Sequence, residues 1–253
     1  MPWNPEQYQK FQSQRSAPFF DLLKLVEIRQ NLKVVDLGCG TGELTRHLAD
    51  SLPNSDVLGL DSSGEMLDKS ASFTRPGLRF DKGDQSQLTG DWDLIFSNAA
   101  LQWYEDHEKL FPDLFKKLRS NGQLAVQVPS NHHHISHQLI RELANEEPYL
   151  GILKGFNRQA PVLPIDQYTQ ILFDCGAQDI IIFEKIYPHI LEDSDAVVDW
   201  VSGTALVPYF EKLGAHKNEF LNVLRKRMRS AIPQSPVLYP FRRTLLSVRK
   251  QQL

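Results

Sequence analysis

The run Val34-Val35-Asp36-Leu37-Gly38-Cys39-Gly40-Thr41-Gly42 sets three alternate glycines directly after a β-branched apolar stretch. Glycine turns the backbone sharply and lets it approach a ligand with no Cβ in the way. The helical pattern that follows from Glu43 offers free N–H groups at its start. Dinucleotide-binding proteins share such loops, but two details separate the cases. The third glycine comes one residue early for Gly-x-Gly-x-x-Gly, and Glu43 stands where a pyrophosphate would sit. A carboxylate there repels phosphate and suits a zwitterionic or cationic ligand, such as an amino-acid tail beside a sulfonium. A structural turn without a ligand is the alternative.

Further candidates follow other apolar runs. Asp61 comes nineteen residues after Gly42, where a carboxylate can accept both hydroxyls of a ribose; the alternatives are a solvated loop acid or a helix N-terminal acid. Asp84, in Gly83-Asp84-Gln85, can read an adenine amino group together with the next backbone N–H, or be a plain loop acid. Asn98 opens Asn98-Ala99-Ala100-Leu101-Gln102-Trp103, whose small residues leave room for a ligand. Gln102 and Trp103 would line the side of a second substrate, although Trp103 serves equally as core. The basic residues Arg225, Lys226, Arg227, Arg229, Arg242, Arg243, Arg249 and Lys250 read as a solvated face or as an anion site. His132-His133-His134 in an extended segment point to alternating faces and cannot converge on one ion. His134 and His137 could meet on a helix, yet no Cys or carboxylate stands at ligand spacing. An anion-lining or surface loop is expected there, and no metal.

The elements that must position these residues alternate. Strands are expected at 33–37, 56–60, 78–82, 92–97 and 123–128, with an Asn121-Gly122 turn before the last. Helices are expected at 43–51, after a Ser63 cap, and at 105–118 with Pro112 marking a late start or kink. Strand–helix alternation implies βαβ units on a parallel, doubly wound sheet, with ligands at the carboxyl ends of the strands. Beyond residue 128 the rhythm breaks into helices at 136–147, 166–175, 193–206 and 215–231 and strands at 179–187 and 241–249. With no repeat or linker, the chain reads as a single domain, 1–253, with insertions at 129–165 and 189–236.

Composition narrows the function classes. A net charge of −3 excludes the basic stripe of a nucleic-acid binder, and 41% apolar with 23% charged residues excludes disorder. No apolar run approaches the ~20 residues of a membrane span. Two distant cysteines, Cys39 and Cys175, form no zinc or redox pair and read as buried reduced thiols. With no secretory-type segment, a cytoplasmic protein is expected. A monomer is compatible with all of this.

The residues from Lys33 to Val128 resemble the class I S-adenosylmethionine-dependent methyltransferases, most specifically at the glycine loop. The resemblance implies a Rossmann-like sheet of seven strands with the last antiparallel. It also implies a cofactor, S-adenosylmethionine, held by Asp36, Gly38, Gly40, Asp61, Ser62, Met66, Asp84, Gln85 and Asn98. A narrower resemblance, to the trans-aconitate methyltransferase group, rests on Trp3-Asn4-Pro5 with Tyr8, Phe11 and Arg15-Ser16, on 93–99 through Gln102-Trp103 and Asp106-His107, on 124–129, and on Asp199-Trp200-Val201. It implies methyl transfer to a carboxylate of a small anionic acceptor, with no general base required. The implied acceptor residues are Arg15, Tyr8, Gln102, Trp103, Arg243 and His132, and residues 1–30 would act as a lid. The chain departs from that group at Val207, where the pattern has Arg before the Pro, and at Phe241-Arg242-Arg243, where it has Phe-Pro-Arg. Val cannot replace a bidentate guanidinium. A methyltransferase of a carrier-bound malonyl ester or of an apolar acid therefore stays open, beside a nicotinamide-dependent oxidoreductase and a non-catalytic nucleoside-binding module.

Overall fold

The computed structural model describes residues 12–251, with side chains from residue 16 onward. The chain forms two compact units. The larger comprises Arg15–Pro129, Pro161–Lys185 and Arg243–Leu253; the smaller comprises Met1–Gln14, Ser130–Ala160 and Ile186–Arg242. The expected insertions 129–165 and 189–236 fall largely within the smaller unit.

Seven strands form one sheet: β1 (Lys33–Leu37), β2 (Asp56–Asp61), β3 (Leu78–Lys82), β4 (Trp92–Asn98), β5 (Leu118–Pro129), β6 (Ala177–Leu191) and β7 (Val237–Lys250). Their order is β3-β2-β1-β4-β5-β7-β6. The β2–β3, β1–β2, β1–β4 and β4–β5 pairs are parallel, and β7 runs antiparallel to β5. The order reverses between β1 and β4, so the loops leaving these strands diverge and open a crevice at their carboxyl ends.

Alternate residues feed two faces, as the period-two geometry of a strand requires. Val35, Leu37, Ile95 and Leu124 join a core with Phe111 and Leu114 of α4 (His107–Lys116) and Tyr168 and Leu172 of α7 (Ile165–Asp174). On the other face Val34, Phe96, Ala125 and Leu245 meet Phe19 and Leu22 of α1 (Gln12–Leu23) and Leu48 of α2 (Glu43–Ser51). Both faces are covered, which explains the near-continuous apolar strands. Helix α3 (Gly64–Ser70) starts at Ser63, whose hydroxyl accepts from Met66 N–H.

Several boundaries differ from those the pattern predicts. α4 begins at His107 rather than 105, because Asp106 caps it in a left-handed conformation (φ 57°) and accepts from Lys109 N–H. It ends at Lys116 rather than 118, where Trp92 N–H takes the Lys117 carbonyl and Leu118 pairs with Trp92. The Asn121-Gly122 turn lies inside β5 as a bulge: Trp92 pairs with Leu118 but Leu94 pairs with Gln123. Asn121 is left-handed (φ 65°), and a Cβ on Gly122 would stand 2.8 Å from the Trp92 carbonyl oxygen.

The smaller unit contains α5 (Ile135–Ala144), α6 (Tyr149–Ile152), α8 (Ser194–Ser202), α9 (Val207–Leu213) and α10 (Lys217–Ala231). Leu139, Leu143, Trp200, Tyr209, Phe220 and Leu224 form its core. The single helix expected over 193–206 stops at Gly203, and α9 restarts with Pro208 in its first turn, a position that needs no N–H. No helix among the described residues is long and apolar enough to cross a membrane.

Candidate functional site

The glycine loop folds over the end of β2. The N–H groups of Gly38 and Cys39 both donate to the Leu60 carbonyl, at 2.8 and 3.0 Å. The three glycines serve different ends. A Cβ on Gly38 (φ 76°) would lie 2.1 Å from Ala100 Cβ, and one on Gly42 (φ 79°) would strike Ser70 and Phe80. Gly40 is also left-handed (φ 56°), yet a Cβ there would meet nothing within 4 Å among the described residues. Close packing requires the outer two glycines; the middle one is uncrowded by the described residues.

Asp61, half-buried at the tip of β2, binds the loop to the next helix. Its Oδ2 accepts from Gly40 N–H and its Oδ1 from Ser63 N–H, both at 2.9 Å. A carboxylate has about four acceptor positions, so each oxygen keeps capacity for a hydroxyl. Ser62 beside it is exposed, and Met66 is half-buried on α3. Asp36 lies beneath the loop, buried, and accepts from the Thr45 hydroxyl at 2.6 Å. Burial pushes its carboxyl up to about 7, opposed by the Thr45 bond and reinforced by the negative charge of Asp61.

Beyond β3, Asp84 Oδ1 accepts from Ser86 N–H (2.8 Å) and from the Ser86 hydroxyl (2.5 Å), which holds its carboxyl below the usual range. Gln85 Oε1 and Asn98 Oδ1 are buried acceptors without a hydrogen-bond partner among the described residues. An unpaired buried polar atom costs roughly 1–3 kcal/mol, so both fit a ligand that brings donors. Ala99 follows Asn98 in a left-handed conformation (φ 56°), a strain of the kind concentrated at functional sites. Its N–H donates to Gln127 O, and its carbonyl accepts from Gln102 Nε2 at 2.7 Å. Trp103 is 47% exposed, which removes the reading of it as core.

Two residues of this region were given no site role by the sequence reading. Burial raises the Tyr104 phenol to about 12, and the negative charges of Asp84 and Asp61 add to the rise. Buried His107 braces the turn carrying Gln102 and Trp103. Its Nε2 lies 3.0 Å from the Leu101 carbonyl, which can only accept, so Nε2 bears the proton and Nδ1 accepts from the Tyr168 hydroxyl. The Tyr168 oxygen in turn accepts from Leu163 N–H at 3.2 Å. Burial lowers the His107 pKa, in keeping with a neutral ring.

The acceptor candidates are more dispersed. Tyr8 lies outside the described residues, as does the side chain of Arg15, whose backbone belongs to α1. Arg243 is buried on β7 opposite Pro129 of β5 and donates to Gln127 Oε1 at 3.2 Å. Arg243, Gln102 and Trp103 belong to the larger unit and His132 to the smaller. His132 is half-buried with its ring 4.1 Å from that of His133. His134 caps α5, its Nδ1 accepting from Ser136 N–H. Among the described residues no three His, Cys, Asp or Glu side chains gather at metal-binding range.

Residues 28–226 match the family model described as a methyltransferase domain. The chain belongs to this methyltransferase family. The methyltransferase is 46% identical to a trans-aconitate 2-methyltransferase of Deinococcus radiodurans, with all of both chains covered. It is 36% identical to one of Variovorax paradoxus (92% and 91% covered) and 34% identical to one of Mycobacterium tuberculosis (96% and 95%). Among solved structures it is similar to the YcgJ protein of Bacillus subtilis (TM-score 0.61, 13% identity, 94% and 99% covered). It also resembles phosphoethanolamine N-methyltransferase 2 of Haemonchus contortus, solved with S-adenosylhomocysteine (TM-score 0.57, 15% identity, 94% and 53% covered). The sheet of this enzyme is thus the doubly wound, Rossmann-like methyltransferase sheet with an antiparallel β7.

Proposed function

We propose that this methyltransferase uses S-adenosylmethionine to esterify a carboxylate of trans-aconitate. The observation that carries the reading is the Asp61 carboxylate, locked by Gly40 and Ser63 N–H beside the open face of Gly40, in a chain 46% identical over its whole length to a trans-aconitate 2-methyltransferase. The residues fit this cofactor. Asp61 accepts the ribose hydroxyls, the open Gly40 backbone passes the amino-acid tail, and Gln85 Oε1 and Asn98 Oδ1 gain the donors they lack. Glu43 at the start of α2 disfavours a pyrophosphate and so a nicotinamide dinucleotide.

When bound, S-adenosylmethionine supplies a methyl group already activated on its sulfonium. The chain's own task is placement, with the attacking oxygen ~3–3.5 Å from the carbon it attacks. An acceptor carboxylate is ionised at neutral pH, its reference pKa being about 4, so no side chain need remove a proton. Negative charge leaves that carboxylate as it becomes an ester, and a cation fixed on it would oppose the change. Buried Arg243 is therefore assigned to a carboxylate that does not react, with Gln102 and Trp103 bordering the acceptor.

The test is incubation of the purified protein with methyl-labelled S-adenosylmethionine and trans-aconitate. The expected outcome is label in a base-labile ester, with one S-adenosylhomocysteine formed per ester. Label that appears only on a carrier-bound malonyl group, or on an apolar monocarboxylic acid, would contradict the proposal.

A further inference from the structure

Three polar side chains form a row across the carboxyl ends of β4 and β5 and the facing stretch of β7, all within the larger unit. Asn98 is the register partner of Gln127, and Arg243 lies opposite Pro129, two residues further along β5. Phe96, Ala125 and Leu245 pack on the α1 side of the sheet. Strand alternation puts the residues two away from them, Asn98, Gln127 and Arg243, on that same face. Gln127 is fully buried. Its main-chain carbonyl accepts from Ala99 N–H at 2.9 Å, which ties it to the left-handed turn after β4. Its side chain is oriented by Arg243, whose Nη1 donates to Oε1 at 3.2 Å. A guanidinium can only donate, so the atom it reaches is the amide oxygen and the nitrogen is the end left over. That Nε2 is buried and has no hydrogen-bond partner among the described residues. Buried polar groups are nearly always paired, so an amide that gives its oxygen to the protein and leaves its donors unused fits a ligand oxygen.

We infer that Gln127 is a further binding residue for the methyl acceptor, its Nε2 donating to the non-reacting carboxylate that Arg243 holds. The strand order separates this row from the cofactor groups. The glycine loop, Asp61 and Gln85 follow β1, β2 and β3 on one side of β4, whereas Gln127 and Arg243 belong to β5 and β7 on the other. Neighbouring strands lie ~4.8 Å apart, so the end of β5 stands roughly 10 Å from that of β1. The chemistry of the row points the same way. An amide N–H beside a guanidinium suits an anion with oxygen acceptors and disfavours a sulfonium. A carboxylate has about four acceptor positions and can take both donors. The inference rests on the reading of the acceptor as a polycarboxylate.

The experiment titrates trans-aconitate calorimetrically into protein saturated with S-adenosylhomocysteine, so that no methyl donor is present. Gln127→Glu keeps an oxygen for Arg243 and turns the donor end into a second carboxylate oxygen. Gln127→Met keeps the length of the side chain and removes both polar ends. Each is expected to weaken trans-aconitate binding by about tenfold or more, the loss of a hydrogen bond to a charged group, and to leave S-adenosylhomocysteine affinity at the wild-type value. Melting curves identify a variant that fails to fold, in which case the other carries the test. Wild-type trans-aconitate affinity in the folded variants, while the wild-type enzyme still esterifies trans-aconitate, overturns the inference alone. So does an equal loss of S-adenosylhomocysteine affinity, which would put the amide on the cofactor side or in the framework. A wild-type protein that neither binds trans-aconitate nor makes the ester overturns the proposed acceptor as well.

Discussion

The two compact units handle charge in opposite ways. At the carboxyl edge of the sheet the larger unit holds acids with main chain and short side chains: Asp61 by Gly40 and Ser63 N–H, Asp84 by Ser86, and Asp36 by Thr45. The smaller unit carries cations on long side chains, and the arginines of α10 pair with acids of other segments. A site made from backbone at a strand end is built within a few residues, and little can move it. Ion pairs between long side chains of different helices depend on the packing of several segments. Cofactor recognition should therefore tolerate changes in the helical unit.

The contrast is sharpest among the glycines. Gly38→Ala adds a left-handed Cβ, at about 1–2 kcal/mol, and forces it into Ala100, at about 1–3 kcal/mol of overpacking. The expected loss of about 2–5 kcal/mol should lower the melting temperature by about 2–4 °C per kcal/mol for a chain of this size. Gly40→Ala carries only the left-handed cost, but its Cβ enters the open space and should weaken S-adenosylhomocysteine binding. Equal destabilisation by both would mean that the space over Gly40 belongs to the protein's own packing.

A smaller effect concerns Asp36. Its carboxyl keeps a proton up to about pH 7 in the folded state, against 3.8 in an unperturbed chain. Between those values the unfolded chain binds fewer protons than the native one. Its contribution to stability therefore falls as pH rises from about 4 to about 7 and is level above, by an amount on the order of a few kcal/mol. Asp36→Asn keeps an acceptor for Thr45 and should remove that slope from denaturant midpoints. Parallel curves for variant and wild type would show Asp36 ionising normally.

The sheet and its loop were legible because their signals are local. Apolar runs β1 to β4 end where the pattern predicts, to within a residue, and Gly38, Gly40 and Gly42 sit at positive φ. The start of β5 was hidden because Asn121-Gly122 is turn chemistry that the strand absorbs as a bulge. Helix α9 was missed because Thr204, Ala205 and Leu206 continue the apolar rhythm past Gly203. Tyr104 carried no signal beyond its place after Trp103, and the His107–Tyr168 contact joins positions sixty-one residues apart. The basic run of α10 read from sequence as a solvated face or an anion site, and its ion pairs were hidden because the acid partners at 146, 195 and 199 come from other helices and loops.

The most direct measurement of the central claim is calorimetric binding of S-adenosylhomocysteine to Asp61→Ala. The variant loses the anchor for Gly40 and Ser63 and the acceptor for two hydroxyls, so binding should weaken by about 1.5–3 kcal/mol, the worth of hydrogen bonds to a charged group. Wild-type affinity in a folded variant would place the nucleoside elsewhere and contradict the account.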